Sequence, residues 1–130
     1  MSWQAYIDTS LVGTGNIDKA VILSAAGDSV WAVTPGFEVK PEEVKAIVGN
    51  LPRFGNDSPF FQTGIHIGGE KYVNVMHDDE HVYARQKKEG LVIVKTNQAL
   101  IIAHHPETGD RGKAVATTKA LSDYLKGVGY

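Results

Sequence analysis

The densest set of ligand-type side chains is His77-Asp78-Asp79-Glu80-His81, an unbroken run of imidazoles and carboxylates. Those groups could in principle hold a metal ion. The run falls between two strand-forming stretches, however, where a polar turn is the ordinary content. No H-E-x-x-H helix and no second cluster at fixed spacing accompanies it, so a solvated turn and no metal are expected. Gly13-Thr14-Gly15-Asn16 invites a phosphate-loop reading, but it lacks the full G-x-G-x-x-G and no strand precedes it. A structural turn is expected there. Serines and histidines occur without a G-x-S-x-G elbow, and the absence of cysteine removes thiol catalysis and disulfides. Glu42 and Glu43 follow Pro41 and are explained by a helix start. No enzyme chemistry and no cofactor are expected.

The aromatic residues are a different matter. Trp3 and Tyr6 lie at one end of the chain, Tyr124 and Tyr130 at the other, and Trp31 between them. Chain ends usually fray unless tied down, and the ends of compact domains are often close together. If the first and last helices pack side by side near Trp31, these rings form one shallow strip. Aromatic-lined grooves dock preformed polyproline II segments, and Trp and Tyr can donate to the exposed peptide carbonyls. Core packing is the alternative for each ring. In a second group, Lys71, Arg85, Lys87, Lys88 and Lys95, several side chains would project near one another if the strands are neighbours in one antiparallel sheet. The group reads either as a solvated charged face or as a surface for acidic protein or anionic lipid.

The elements that must position these groups follow from periodicity. Ser2 is a candidate N-cap for a short helix with Trp3, Tyr6 and Ile7 on one face. Residues 19–24 and 29–34 read as strands joined by an Ala-Ala-Gly-Asp turn. A helix starts at Pro41 and ends at Gly49-Asn50. The stretch 51–64 is loop-like, its phenylalanines forming a satellite cluster over the sheet. Five short strands follow, at 64–68, 71–76, 81–86, 91–96 and 99–104, with Val73 and Val75 on one face and Tyr72, Asn74 and Met76 on the other. A last helix begins near Lys113 with Ala114, Thr118, Leu121 and Leu125 along its stripe. The expected fold class is α+β, a central antiparallel sheet flanked by helices.

At 130 residues with 42% hydrophobic and 22% charged composition, a single domain spanning 1–130 is expected. A net charge of −2 gives no global basic field for nucleic acid. The apolar runs are far below the ~20 residues of a membrane span, and no secretory signal pattern is visible. A soluble intracellular protein, with nothing demanding more than a monomer, is the expectation.

The opening MSWQAYIDTSLVGTG, the segment SVWA, the stretch KTNQALIIAH and the ending LSDYLKGVGY together resemble the profilin family, essentially end to end. The resemblance implies a central antiparallel sheet with the N- and C-terminal helices packed together on one face. It places Trp3, Tyr6, Trp31, Tyr124, Leu125 and Tyr130 at a polyproline-binding site. It places Lys71, Val73, Asn74, Arg85, Lys87, Gly112, Lys113 and Ala116 at a surface for monomeric actin. It further implies a cytoplasmic, cytoskeleton-associated protein that binds actin monomers, speeds exchange of their nucleotide and delivers them to proline-rich assembly factors. Met76 and Glu80 stand where many relatives carry arginines, so phosphoinositide binding is expected to be weak. Lys119 and Ala120 replace an acid–lysine pair. An adaptor that keeps proline binding and has weakened or lost actin binding is the alternative.

Overall fold

The computed structural model describes residues 2–37, 39–50, 64–77 and 81–130, and all structural statements below concern these. Seven strands form one antiparallel sheet in the order β2-β1-β7-β6-β5-β4-β3. They are β1 (Lys19–Ser24), β2 (Val30–Val33), β3 (Ile65–Ile67), β4 (Glu70–His77), β5 (His81–Gln86), β6 (Glu89–Lys95) and β7 (Ala99–His105). The helices are α1 (Trp3–Ala5), α2 (Pro41–Asn50) and α3 (Arg111–Gly127). The phenylalanine-rich stretch and the carboxylates of the His77–His81 run lie outside the described residues.

The central strands are apolar on both faces, which dictates a layer on each side. On β1, Val21 and Leu23 face one core while Ala20 and Ile22 face the other. On β6 the sets are Leu91/Ile93 and Val92/Val94, and on β7 they are Leu100/Ile102 and Ala99/Ile101/Ala103. The first core is closed by Val44 and Ile47 of α2. The second is closed by Ile7 and Leu11 from the N-terminal segment and by Ala114, Leu121 and Leu125 of α3. The first and last helices thus share one face of the sheet, as the sequence pattern predicts.

Two local expectations are corrected. Ser2 does cap α1, its Oγ accepting from the Ala5 N–H at 3.2 Å. The helix then widens into a π-helical segment, Tyr6–Leu11, in which the Val12 N–H bonds to the Ile7 carbonyl five residues back. Ile7 and Leu11 are wholly buried, whereas Trp3 and Tyr6 remain half-buried. Trp3, Tyr6 and Ile7 thus face the same core, Ile7 inside it and the two rings packed at its rim. In β4 the ladder pairs Val73 with Arg85 and Met76 with Tyr83, so one extra residue is inserted between them. This bulge breaks strict alternation: Tyr72 and Val75 are buried, while Val73 and Met76 are both 40% exposed.

The Gly13–Asn16 segment is a turn, as expected. Gly15 sits at φ +80°, which an ordinary side chain resists. Asn16 Nδ2 donates to Thr117 Oγ1 at 3.0 Å, tying this turn to α3. Of the histidines, His104 places Nδ1 2.6 Å from Asp18 Oδ1 and Nε2 3.3 Å from Glu89 Oε1. His105 Nδ1 lies 2.9 Å from the Pro106 carbonyl, which can only accept. In the neutral ring its Nε2 then accepts from the Tyr83 hydroxyl at 2.7 Å. Burial pushes the Tyr83 phenol up, against the pull of Arg85 and Arg111, so it stays a neutral donor. Among the described residues no group of three or more His, Asp or Glu is placed to hold a metal ion.

Glu43 joins the two ends of the first core. Its Oε1 accepts from the Lys40 N–H at 3.0 Å and the Gly68 N–H at 2.8 Å, and its Oε2 from the Gly69 N–H at 2.9 Å. The carboxylate thus reaches back to the N–H just before α2, the glutamate half of a capping box, and grips the β3–β4 turn. Burial alone would raise its pKa, but the N–H groups of Gly69, Lys40 and Gly68 outweigh it and hold the carboxyl below its ordinary 4.5.

Two predictions follow from these packing facts. Glu43→Gln should lose about 1–3 kcal/mol of stability, because buried N–H groups lose a charged acceptor. A lowered folded-state pKa means the wild-type contribution is present above the unfolded value and lost as pH falls through the folded one. Urea unfolding at pH 7 and pH 3 should show the wild-type advantage over Glu43→Gln at the higher pH and its loss at the lower. Gly90→Ala should destabilise by about 1–3 kcal/mol. A Cβ there would overlap His105 Nε2 and the Tyr83 hydroxyl, so the hydrogen-bonded pair would have to shift. Thermal melts with Tyr83→Phe and Gly90→Ala, singly and together, would show whether the hydroxyl is the obstacle.

Candidate functional site

Trp3 is the hub of an aromatic strip. Its ring lies 4.7 Å from Trp31, 5.5 Å from Tyr6 and 5.1 Å from Tyr130, the last edge-on at 89°. Tyr6 in turn lies 6.0 Å from Tyr124. These are the separations at which tilted and edge-to-face ring pairs attract. The widened N-terminal segment supplies Trp3 and Tyr6, β2 supplies Trp31, and α3 with its tail supplies Tyr124 and Tyr130. Tyr124 is 53% and Tyr130 39% exposed. The strip is therefore a surface whose rings support each other.

Of the six residues expected here, five rings come together. The sixth, Leu125, is wholly buried and supports the strip from beneath. Tyr6 and Tyr124 also line an open groove of about 350 Å³, together with Ser10, Thr117, Ala120 and Leu121. Those four were not singled out from the sequence as site residues; the stripe through Leu121 and the helical spacing of Thr117 and Ala120 were the available signals. A hydrogen bond to Tyr124, then burial and the charges of Tyr124 and Tyr130, hold the Tyr6 phenol above its ordinary value. The Tyr6 phenol is therefore kept neutral.

The strip suits an extended, donor-poor chain. A polyproline II helix rises about 3.1 Å per residue, so rings spaced as these are meet residues roughly two apart. Its carbonyls stand unpaired and face outward, where the indole N–H and phenol O–H groups can reach them.

The second expected surface lies on β4, β5 and the start of α3. Lys71, Val73 and Arg85 are exposed, and Val73 stands opposite Arg85 in the ladder. Lys87 occupies the β5–β6 turn at φ +55°, and its carbonyl accepts from Arg85 Nη2 at 3.3 Å. Gly112, Lys113 and Ala116 are exposed on the first turns of α3. The Asp110 side chain caps that helix, accepting from the Lys113 N–H at 2.9 Å. The Asn74 side chain lies outside the described residues. Arg111, unmarked in the sequence, lines a cavity of about 260 Å³ with Arg85, Lys88, Tyr83 and His105. Its guanidinium lies over the Tyr83 ring at 5.9 Å and reaches Met76 Sδ at 3.5 Å. Lys95 does not join this group, because it lies at the opposite end of β6 from the Lys87–Lys88 turn.

Comparison with known proteins follows the same lines. The profilin family profile matches residues 1–130. Profilin of Saccharomyces cerevisiae is 46% identical over 130 residues, covering 100% of both chains. The crystal structure of Schizosaccharomyces pombe profilin superposes with a TM-score of 0.90 at 45% identity, over 99% of this chain and 100% of that one. Mouse profilin IIa, solved in complex with a double repeat from the FH1 domain of mDia1, matches at TM-score 0.77 and 22% identity over 100% of both chains. A curled antiparallel sheet, terminal helices sharing one face, and end-to-end identity of this size leave one assignment: the chain belongs to the profilin family.

Proposed function

We propose that this protein binds proline-rich segments on the Trp3–Trp31–Tyr6–Tyr124–Tyr130 strip and monomeric actin on the β4–β5 and early α3 surface. It links the two and regulates actin assembly and nucleotide exchange on actin without catalytic chemistry of its own. The observation that carries the reading is the strip itself: five rings in mutual contact, drawn from both ends of the chain and from β2, with two tyrosines left exposed. Aromatic grooves of this kind recognise polyproline II chains at low entropic cost, since the ligand is already extended. The mouse relative was solved with a double repeat from the FH1 domain of mDia1 bound.

The actin surface combines exposed apolar residues, Val73 and Met76, with Arg85, Lys87 and Lys113 around them. That mixture favours a protein partner with acidic groups around an apolar centre. Met76 supplies no charge, which argues for weak phosphoinositide affinity on this face. The adaptor reading, proline binding without actin binding, remains the second outcome of the assay below.

Titration with poly-L-proline while following tryptophan fluorescence tests the first site, because Trp3 and Trp31 are the only two tryptophans and both lie in the strip. A saturable change is expected. Trp31→Ala and Tyr6→Ala should each weaken binding by tenfold or more, roughly the effect of a hot-spot ring, while the far-UV spectrum and cooperative unfolding persist. An unchanged titration curve in both variants would sink the assignment of the strip. For the second site, wild-type protein should slow pyrene-actin assembly from monomers, and Arg85→Glu should relieve that effect while leaving poly-L-proline binding intact. Assembly unaffected by the wild type would select the adaptor reading.

A further inference from the structure

The strip depends on where Tyr130 is held, and part of that hold comes from outside both terminal helices. Tyr130 follows Gly129, whose φ of +96° closes the C-terminal cap of α3, so the helix end fixes its N–H side and leaves its carbonyl side to other partners. Its N–H bonds to the Leu125 carbonyl at 2.8 Å. Its main-chain oxygen accepts from the Gln98 N–H and from Thr96 Oγ1, each at 2.6 Å. Gln98 Nε2 also donates to the Gly129 carbonyl at 2.9 Å.

Thr96 is buried, and its hydroxyl oxygen accepts from the Ala99 N–H at 2.9 Å. Its single proton has two acceptors in range, the Tyr130 oxygen at 2.6 Å and the Ala99 carbonyl at 3.4 Å. Only the first is a good hydrogen-bond length. The turn between β6 and β7 therefore grips the last two residues of the chain by three hydrogen bonds. That grip sets the Tyr130 ring edge-on against Trp3.

We infer that Thr96 and Gln98 are positioning residues for proline docking, acting through Tyr130 and without touching the ligand themselves. The inference rests on the docking reading above. Without the turn contacts, Tyr130 would be held only through its N–H bond to α3, and the ligand would have to supply the rest of the ordering at a cost to affinity.

The test is a double-mutant cycle read by poly-L-proline titration. Thr96→Val removes the hydroxyl, Gln98→Ala removes the side-chain bond, and Tyr130→Ala removes the ring while keeping the main-chain oxygen. Thr96→Val and Gln98→Ala should each weaken binding roughly three- to tenfold, about the value of one hydrogen bond. In the Tyr130→Ala background neither should weaken it further, and Thr96→Ser should retain wild-type affinity. A general loss of stability would reduce binding equally in both backgrounds, and equal losses would overturn the inference alone. Wild-type affinity in Gln98→Ala, whose side chain is exposed and whose folding is not at risk, would overturn it too. Failure of the wild type to bind poly-L-proline would overturn the docking reading and this inference together.

Discussion

Everything in this molecule depends on a sheet that must be covered on both faces. With Val21, Leu23, Leu91, Ile93, Leu100 and Ile102 on one side, and Ile22, Val92, Val94 and Ile101 on the other, neither face can be left to solvent. Each fully buried side chain of this kind contributes about 1.5–3 kcal/mol, which makes an uncovered face untenable. The helix-facing side also carries Ala20, Ala32, Ala99 and Ala103. Such small residues let helices lie close to the strands. Two helices can then share a face that would otherwise hold one, and the ring strip forms along their joint.

The same constraint explains why large aromatics remain exposed. Ile7 and Leu11 supply the core contact of the N-terminal segment, and Leu121 and Leu125 supply that of α3. Trp3, Tyr6 and Tyr124 are thereby released from core duty. The π-helical widening at Tyr6–Leu11 matters because it sets Ile7 and Leu11 inward while leaving Trp3 and Tyr6 at the rim. A binding surface results from segments that are already rigid, so little ordering is needed when a ligand docks.

Much of this was legible in the sequence because it is local. Strand positions, the Ser2 cap, the Pro41 start of α2 and the Ala114–Leu125 stripe are short-range patterns, and the structure reproduces them. The terminal aromatics were legible as a group because their burial had no other claim on them. Where the reading failed, the cause was an inserted residue or a distant contact. The β4 bulge reverses the sense of Val73 and Val75, and no pattern within Lys71–Met76 announces it. Thr96 and Gln98 read as an ordinary polar turn, since their partners lie more than thirty residues away. Arg111 was passed over because its role comes from the β5 and β4 residues that α3 brings beside it.

The two proposed surfaces stand at opposite ends of α3. Lys113 is on its first turn and Tyr124 on its last, separated by roughly 16 Å of helix axis at about 1.5 Å per residue. Leu121, Leu125, Thr118 and Ala114 pin the length between them into the core. A helix fixed in this way cannot transmit much by bending, so under the proposed reading α3 acts as a spacer between the two surfaces. The coupling between them is geometric, a fixed distance and orientation, and needs no change of conformation.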